Sequence, residues 1–176
     1  QCRKQQIQAY CAGKVYAAAG PAGTGKTETI KDTYRMLGRE PVVINANAEM
    51  TDADFEQISQ EHKANAGMVP IVFDEFNRLD SAKQVSCLDI LQQAEHSVCI
   101  SFNPGYKGFE PLDARVLAQI QQPPQPMTRP DLKCIFQVML GSQGFVECDA
   151  LGASLLTAVL ELQQRMTKQP HYDFGL

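Results

Sequence analysis

Four short apolar runs punctuate the first part of the chain: Val15–Ala19, Pro41–Asn45, Met68–Asp74 and Ser97–Phe102. Each is nearly continuous rather than alternating, the pattern of strands covered on both faces. Between them lie stretches with helical periodicity at Lys26–Leu37, Thr51–Ala64 and Ser81–Ala94. Thr51 and Ser81 are the expected N-caps, with Asp54 and Gln84 three residues on. Short strands alternating with helices predict an α/β fold whose sheet is mainly parallel and flanked by helices.

The pattern changes after residue 118. Gln119–Pro130 carries four prolines, at 123, 124, 126 and 130. Proline donates no ladder hydrogen bond, so this stretch is expected as an extended connector or a poor edge strand, not a central one. Beyond it, Asp131–Leu140 and Asp149–Thr167 read as helices. Leu151, Leu155, Val159 and Leu162 form one apolar stripe on the second helix, expected to pack in a core. The expected division falls near Met127: an α/β core over 1–128, then a helical segment over 129–176.

The phosphate chemistry is carried by Gly20-Pro-Ala-Gly-Thr-Gly25-Lys26-Thr27, which fits G-x-x-x-x-G-K-[ST] without mismatch. Such a loop offers backbone N–H groups, an ammonium and a hydroxyl for Mg²⁺. It sits between a predicted strand and a predicted helix, so its amides and the helix N-terminus both face an anion. Met68–Glu75 supplies a second element: apolar residues leading into two acids at a strand's C-terminal end, where open α/β sheets bind ligands. Asp74 suits a Mg²⁺ shell shared with Thr27. Glu75 suits polarisation of an attacking water. Alternation along the strand is expected to point the two acids in opposite directions. Asn103 follows the next apolar run. If that strand lies beside the one bearing Asp74, Asn103 sits where it senses a γ-phosphate; otherwise it simply initiates the Asn-Pro-Gly turn.

Composition narrows the rest. The chain of 176 residues is 44% hydrophobic and 20% charged with net charge −4, ordinary for one soluble domain or one domain and part of another. The negative balance argues against nucleic acid and anionic membrane as partners, and no apolar run approaches a membrane span. Six cysteines, at 2, 11, 87, 99, 134 and 148, show neither C-x-x-C nor zinc spacing. Cys99 and Cys134 are expected as buried thiols, in a reduced intracellular compartment. His62, His96 and His171 have no triad or ligand spacing. No terminal signal is evident, which reads as a piece of something longer.

These residues resemble a known family. Gly20–Thr29 followed by Lys31-Asp32, and Phe73-Asp-Glu-Phe-Asn-Arg78, are similar to the first AAA+ module of the dynein heavy chain. Asn103-Pro-Gly-Tyr106, Pro130-Asp131, Met139-Leu140, Ser142, Gly144-Phe145 and His171–Gly175 resemble its later landmarks. The resemblance implies a P-loop NTPase of AAA+ type, residues 129–176 being the start of a helical lid subdomain. It implies ATP and Mg²⁺ as cofactors. Gly20, Pro21, Ala22, Gly23, Thr24, Gly25, Lys26, Thr27 and Glu28 would bind nucleotide; Thr27 and Asp74 would hold the metal; Glu75 would be the catalytic base and Asn103 the first sensor. Its implied partners are neighbouring AAA+ modules of one ring, with dynein subunits and microtubules reached through parts absent here. Its implied location is cytoplasmic and cytoskeleton-associated, in a cytoplasmic or ciliary dynein complex.

The chain departs from the family in several places. Only Ser81 to Ser97 separates the helix after the acids from the sensor strand, where the family carries a long hairpin insertion. Gln122, Pro123 and Pro124 stand where the family has Phe-Arg-Pro, so its arginine finger has no counterpart; Arg115 and Arg129 are nearby but off register. Ala46–Met50 replaces a more usual Cys-Ser-containing run. The family's second sensor arginine falls beyond Leu176. Two functions follow: a Mg²⁺-dependent ATPase module of a dynein-like microtubule motor, expected to be weak or inactive as an isolated chain, or a shortened module that binds ATP as a structural or regulatory element.

Overall fold

A computed structural model describes residues 2–63, 69–104, 110–128 and 131–166. Several expectations fall outside these: the helix end at Ala64, the strand start at Met68, Gly105 and Tyr106 of the sensor segment, Arg129, Pro130 and everything from Thr167 on. The chain divides into two compact units, Gln1–Pro21 with Gly25–Met127, and Ala22–Thr24 with Thr128–Leu176.

The first unit is built on five strands: β1 (Tyr16–Ala19), β2 (Val42–Asn45), β3 (Ile71–Asp74), β4 (Val98–Phe102) and β5 (Gln125–Pro126). All pair in parallel, in the order β2-β3-β4-β1-β5. The chain leaves β1, crosses to the far edge at β2, and steps back through β3 and β4 until β4 lies against β1. Among the described residues, the helices of this unit are α1 (Cys2–Cys11), α2 (Lys26–Met36), α3 (Asp52–His62), α4 (Ser81–Gln93) and α5 (Ala114–Gln119), with a one-turn 3-10 helix at Phe76–Arg78.

Alternation along the buried strands divides the core into two layers. Val15, Ala17, Ala19, Ile71, Phe73, Val98, Ile100 and Phe102 face one way and pack with Phe55 of α3, Val85, Leu88 and Leu91 of α4, and Val116 of α5. Tyr16, Ala18, Val72 and Cys99 face the other way, beneath Ala9 of α1 and Ile30 and Tyr34 of α2. Phe73 is wholly buried, with edge-on contacts to Phe55 and Phe76 at centroid distances of 6.4 and 5.9 Å. A side chain of this size contributes about 1.5–3 kcal/mol by leaving water.

Four sequence expectations are corrected in this unit or the next. β2 is an edge strand with Val43 38% exposed, so it is not covered on both faces. An apolar run reports a strand but not whether both its neighbours exist. The N-cap of α4 is Asp80, not Ser81: the Asp80 carboxylate accepts from the Lys83 amide at 2.9 Å, while the Ser81 hydroxyl donates to Asp113. Thr51 does cap α3, its amide and hydroxyl both donating to the Asp54 carboxylate at 2.7 and 2.8 Å. Within the proline-rich stretch, expected as an extended connector or a poor edge strand, Gln125 and Pro126 form a two-residue edge strand paired with Ala18 and Ala19.

The second unit contains α6 (Leu132–Ser142) and α7 (Cys148–Arg165). They pack closely at Gly152, where an added Cβ would meet Gln137 Cγ at 3.1 Å. The predicted apolar stripe is not in a core: Leu151, Leu155 and Leu162 are exposed, and Gly152 is the buried residue of α7. Periodicity identifies an apolar face without saying what covers it. Cys134, expected buried, is also exposed. Among the described residues, no helix is long and apolar enough to cross a membrane.

Candidate functional site

The C-terminal ends of β1, β3 and β4 come together because β4 runs between the other two. Gly20 leaves β1 with its amide donating to the Phe102 carbonyl of β4 at 3.2 Å. The loop then turns through Gly23 and Gly25, whose φ values of 71° and 73° lie in the left-handed region that side chains disfavour. At Gly25 a Cβ would meet nothing within 4 Å, so backbone conformation rather than space demands glycine there. Gly25 is the N-cap of α2. The first-turn amides of that helix have no intrahelical acceptor, which favours an anion.

Lys26 is half-buried, and its Nζ donates to the Gly20 and Pro21 carbonyls at 3.0 and 2.9 Å. Burial lowers its pKa from the ordinary lysine value, and the charges of Asp74 and Glu75 offset this in part. Two consequences follow. The acids lie close enough to act on Lys26 electrostatically. A polyphosphate favours the protonated ammonium, so anion affinity should fall as pH rises through the lowered pKa. We predict that ATP affinity measured from about pH 7 to 10 declines before the free-lysine range near 10.4 is reached, and that Lys26→Met removes the decline along with most binding. A wild-type affinity flat to about pH 10 would contradict the burial effect.

Thr27 stands in the first turn of α2. Glu28 follows, exposed, with its carboxylate on Lys31 Nζ at 2.6 Å. Asp74 is the last residue of β3. Its Oδ1 accepts from the Ser101 hydroxyl of β4 and from the Glu75 amide at 3.1 Å. Strand alternation was expected to point the two acids in opposite directions, but only Asp74 belongs to the strand. Glu75 lies past the strand end with φ of 54°, a left-handed residue opening the 3-10 turn. Its carboxylate is ion-paired with the Arg78 guanidinium across that turn. Asn103 follows β4, and its carbonyl accepts from Asn77 Nδ2 at 3.0 Å. The Asn77 carbonyl in turn accepts from the Glu110 amide at 3.0 Å. The 3-10 turn after the acids therefore anchors the segment that carries Asn103.

Lys26, Asp74, Glu75 and Asn103 fall at the C-terminal ends of β1, β3 and β4, and three side chains that support them were not expected from the sequence. Asn77 and Arg78 stood in a quoted motif without a physical role. Ser101 carried no signal except its place two residues before Asn103. His96 lies elsewhere, buried with Nε2 against the Ser59 carbonyl at 3.1 Å. Arg115 is engaged with Asp113, at 3.2 Å. Among the described residues, no group of three or more His, Cys, Asp and Glu forms a metal site of its own.

A family model described as the hydrolytic ATP-binding site of the dynein motor region matches residues 1–89 and 82–176, two segments that overlap within α4. The chain is 34% identical to dynein axonemal heavy chain 5 of Rattus norvegicus over 185 residues, covering 91% of this chain and 5% of that protein. It is 35% identical to dynein axonemal heavy chain 8 of Homo sapiens, covering 91% and 4%. It is 34% identical to the ciliary dynein beta chain of Heliocidaris crassispina, again covering 91% and 4%. The chain thus spans about one-twentieth of the length of these relatives. The alignment with the rat protein runs over 185 positions while using 91% of this chain, so that relative carries residues this chain lacks inside the matched stretch. The phosphate loop, the paired acids and the parallel sheet that joins them are those of an AAA+ core, and the chain belongs to the family of the hydrolytic ATP-binding site of the dynein motor region.

Proposed function

We propose that this chain binds ATP with Mg²⁺ and hydrolyses it as one AAA+ module of a dynein-like motor. The observation that carries the reading is the position of β4 between β1 and β3, which gathers Lys26, Asp74, Glu75 and Asn103 at adjacent strand ends. The loop amides and the α2 N-terminus would receive the phosphates, and Lys26 would exchange its two loop carbonyls for phosphate oxygens. Thr27 and Asp74 fit a Mg²⁺ ion. The Thr27 hydroxyl is a hard oxygen in the first turn, and Asp74 has both of its intramolecular hydrogen bonds on Oδ1 among the described residues. Such an ion would supply charge neutralisation to the phosphates.

Glu75 would accept the proton of the attacking water, and the Asn103 side chain would orient that water against the γ-phosphate. Before Glu75 can do this, its carboxylate must give up Arg78. Both partners are nearly half-exposed, and pairs of this kind are worth about 0–1 kcal/mol. The exchange is therefore cheap. Residues 129–176 would begin the lid subdomain. Neighbouring modules would complete the ring, leaving the isolated chain weakly active, and other parts of the protein would reach microtubules in a cytoskeletal, cytoplasmic or ciliary setting. Phosphate release from ATP by the intact protein, dependent on Mg²⁺ and on Glu75, tests the reading. Release that persists in excess EDTA contradicts it.

The Glu75–Arg78 pair also favours a second reading, in which the site holds ATP without turning it over. In that case Glu75 stays on Arg78 with nucleotide bound. ATP binding with no phosphate release above that of Glu75→Gln would select it.

A further inference from the structure

We propose that Ser101 is a positioning residue for the metal-side carboxylate, its buried hydroxyl fixing Asp74 Oδ1 so that Oδ2 is presented to the nucleotide's divalent cation. The inference rests on the reading of Asp74 given above.

Ser101 is wholly buried in β4, the central strand. Its neighbours on the same face of the sheet are Tyr16, Ala18, Val72 and Cys99, under α2. A serine hydroxyl in such surroundings costs free energy unless it is hydrogen-bonded, and serine has no packing advantage over alanine in a buried strand. The hydroxyl must therefore be explained by its partner, and that partner is Asp74. The pairing of Phe73 with Ile100 brings the next residues, Asp74 and Ser101, side by side on adjacent strands and on the same face. The Glu75 amide donates to the same carboxylate oxygen. With two donors on Oδ1, the carboxylate cannot rotate freely about its last torsion. Among the described residues Oδ2 has no hydrogen-bond donor, and its lone pairs stay available. Partners that orient a metal-side carboxylate in this way typically change metal affinity by about 10–100-fold.

The test is binding of a fluorescent ATP analogue to the intact protein as Mg²⁺ is titrated, with a parallel measurement in EDTA. Ser101→Ala is close to isosteric and keeps the strand. It should raise the half-saturating Mg²⁺ concentration by about 10–100-fold while leaving nucleotide affinity in EDTA unchanged. Ser101→Thr, which keeps the hydroxyl, should restore the wild-type half-point. Asp74→Asn provides the reference for loss of the carboxylate. A shifted half-point in Asp74→Asn but not in Ser101→Ala overturns the role of Ser101 alone. An unmoved half-point in both overturns the reading of Asp74 as well. Equal loss of affinity with and without Mg²⁺ in Ser101→Ala shows a merely structural serine and also overturns the proposal.

Discussion

Glu75→Gln is expected to lower ATP turnover by about 10²–10⁴-fold, the usual contribution of a general base, while leaving nucleotide binding intact. The two effects separate because of where Glu75 sits. It lies beyond the end of β3, in the turn before the 3-10 helix, nearly half-exposed and outside both core layers. Glutamine has the same shape and its carbonyl still accepts a hydrogen bond from Arg78, so the turn that anchors Asn103 is preserved. What disappears is the capacity to take a proton. Steady-state phosphate release and equilibrium binding of labelled ATP, measured on the intact protein, check both halves. Unchanged turnover removes Glu75 as the base. Loss of binding together with turnover assigns Glu75 a structural role instead.

Phe73→Ala is expected to cost about 3–5 kcal/mol of folding stability, a large share of the roughly 5–15 kcal/mol typical of a domain. Phe73 is wholly buried and lies one residue before Asp74. It touches Phe55 of α3 and Phe76 of the 3-10 turn with interplanar angles of 77° and 67°. Edge-on pairs of this kind add about 0.5–1.5 kcal/mol each beyond area burial. The substitution therefore opens a cavity and loosens the end of β3 from two elements at once. Urea unfolding gives the stability change, and nucleotide binding should weaken with it because Asp74 loses its support. Val43→Ala, on the exposed edge strand, is the contrasting case, with an expected cost near 0.5 kcal/mol. A Phe73→Ala cost as small as that of Val43→Ala would mean that β3 is not the core strand described.

The contiguous parts of the site are legible in the sequence. The phosphate loop is a local object: glycines at φ near 70°, a lysine and a helix start within eight residues. The paired acids are equally local, because an apolar strand that ends in Asp74 has to expose it. Strands β1 to β4 and helices α2, α3, α4, α6 and α7 match their expected spans to within a few residues for the same reason, since periodicity is a local signal, whereas the polar α1 and the short α5 were not expected. What escaped is what depends on strand order. Ser101 becomes a partner of Asp74 only once β4 is known to lie against β3, and Asn77 an anchor for Asn103 only once the 3-10 turn is known to face the end of β4. The ends of the sheet escaped likewise. Val43 in β2 has the same chemistry as Val72 in β3, yet one is exposed and the other buried. The α7 stripe shows the same limit from the other side, since Leu151 and Leu155 are patterned for burial and lie exposed.

The central claim is that Gly20–Thr27 holds ATP through Lys26. Its most direct test is thermal unfolding of the intact protein and of Lys26→Ala, each with and without Mg·ATP. Ligand at about 100 times its dissociation constant stabilises a folded state by roughly 2.7 kcal/mol. A rise in the unfolding midpoint with Mg·ATP that is lost in Lys26→Ala is the predicted result. A wild-type midpoint that does not move, or one that moves equally in Lys26→Ala, contradicts it.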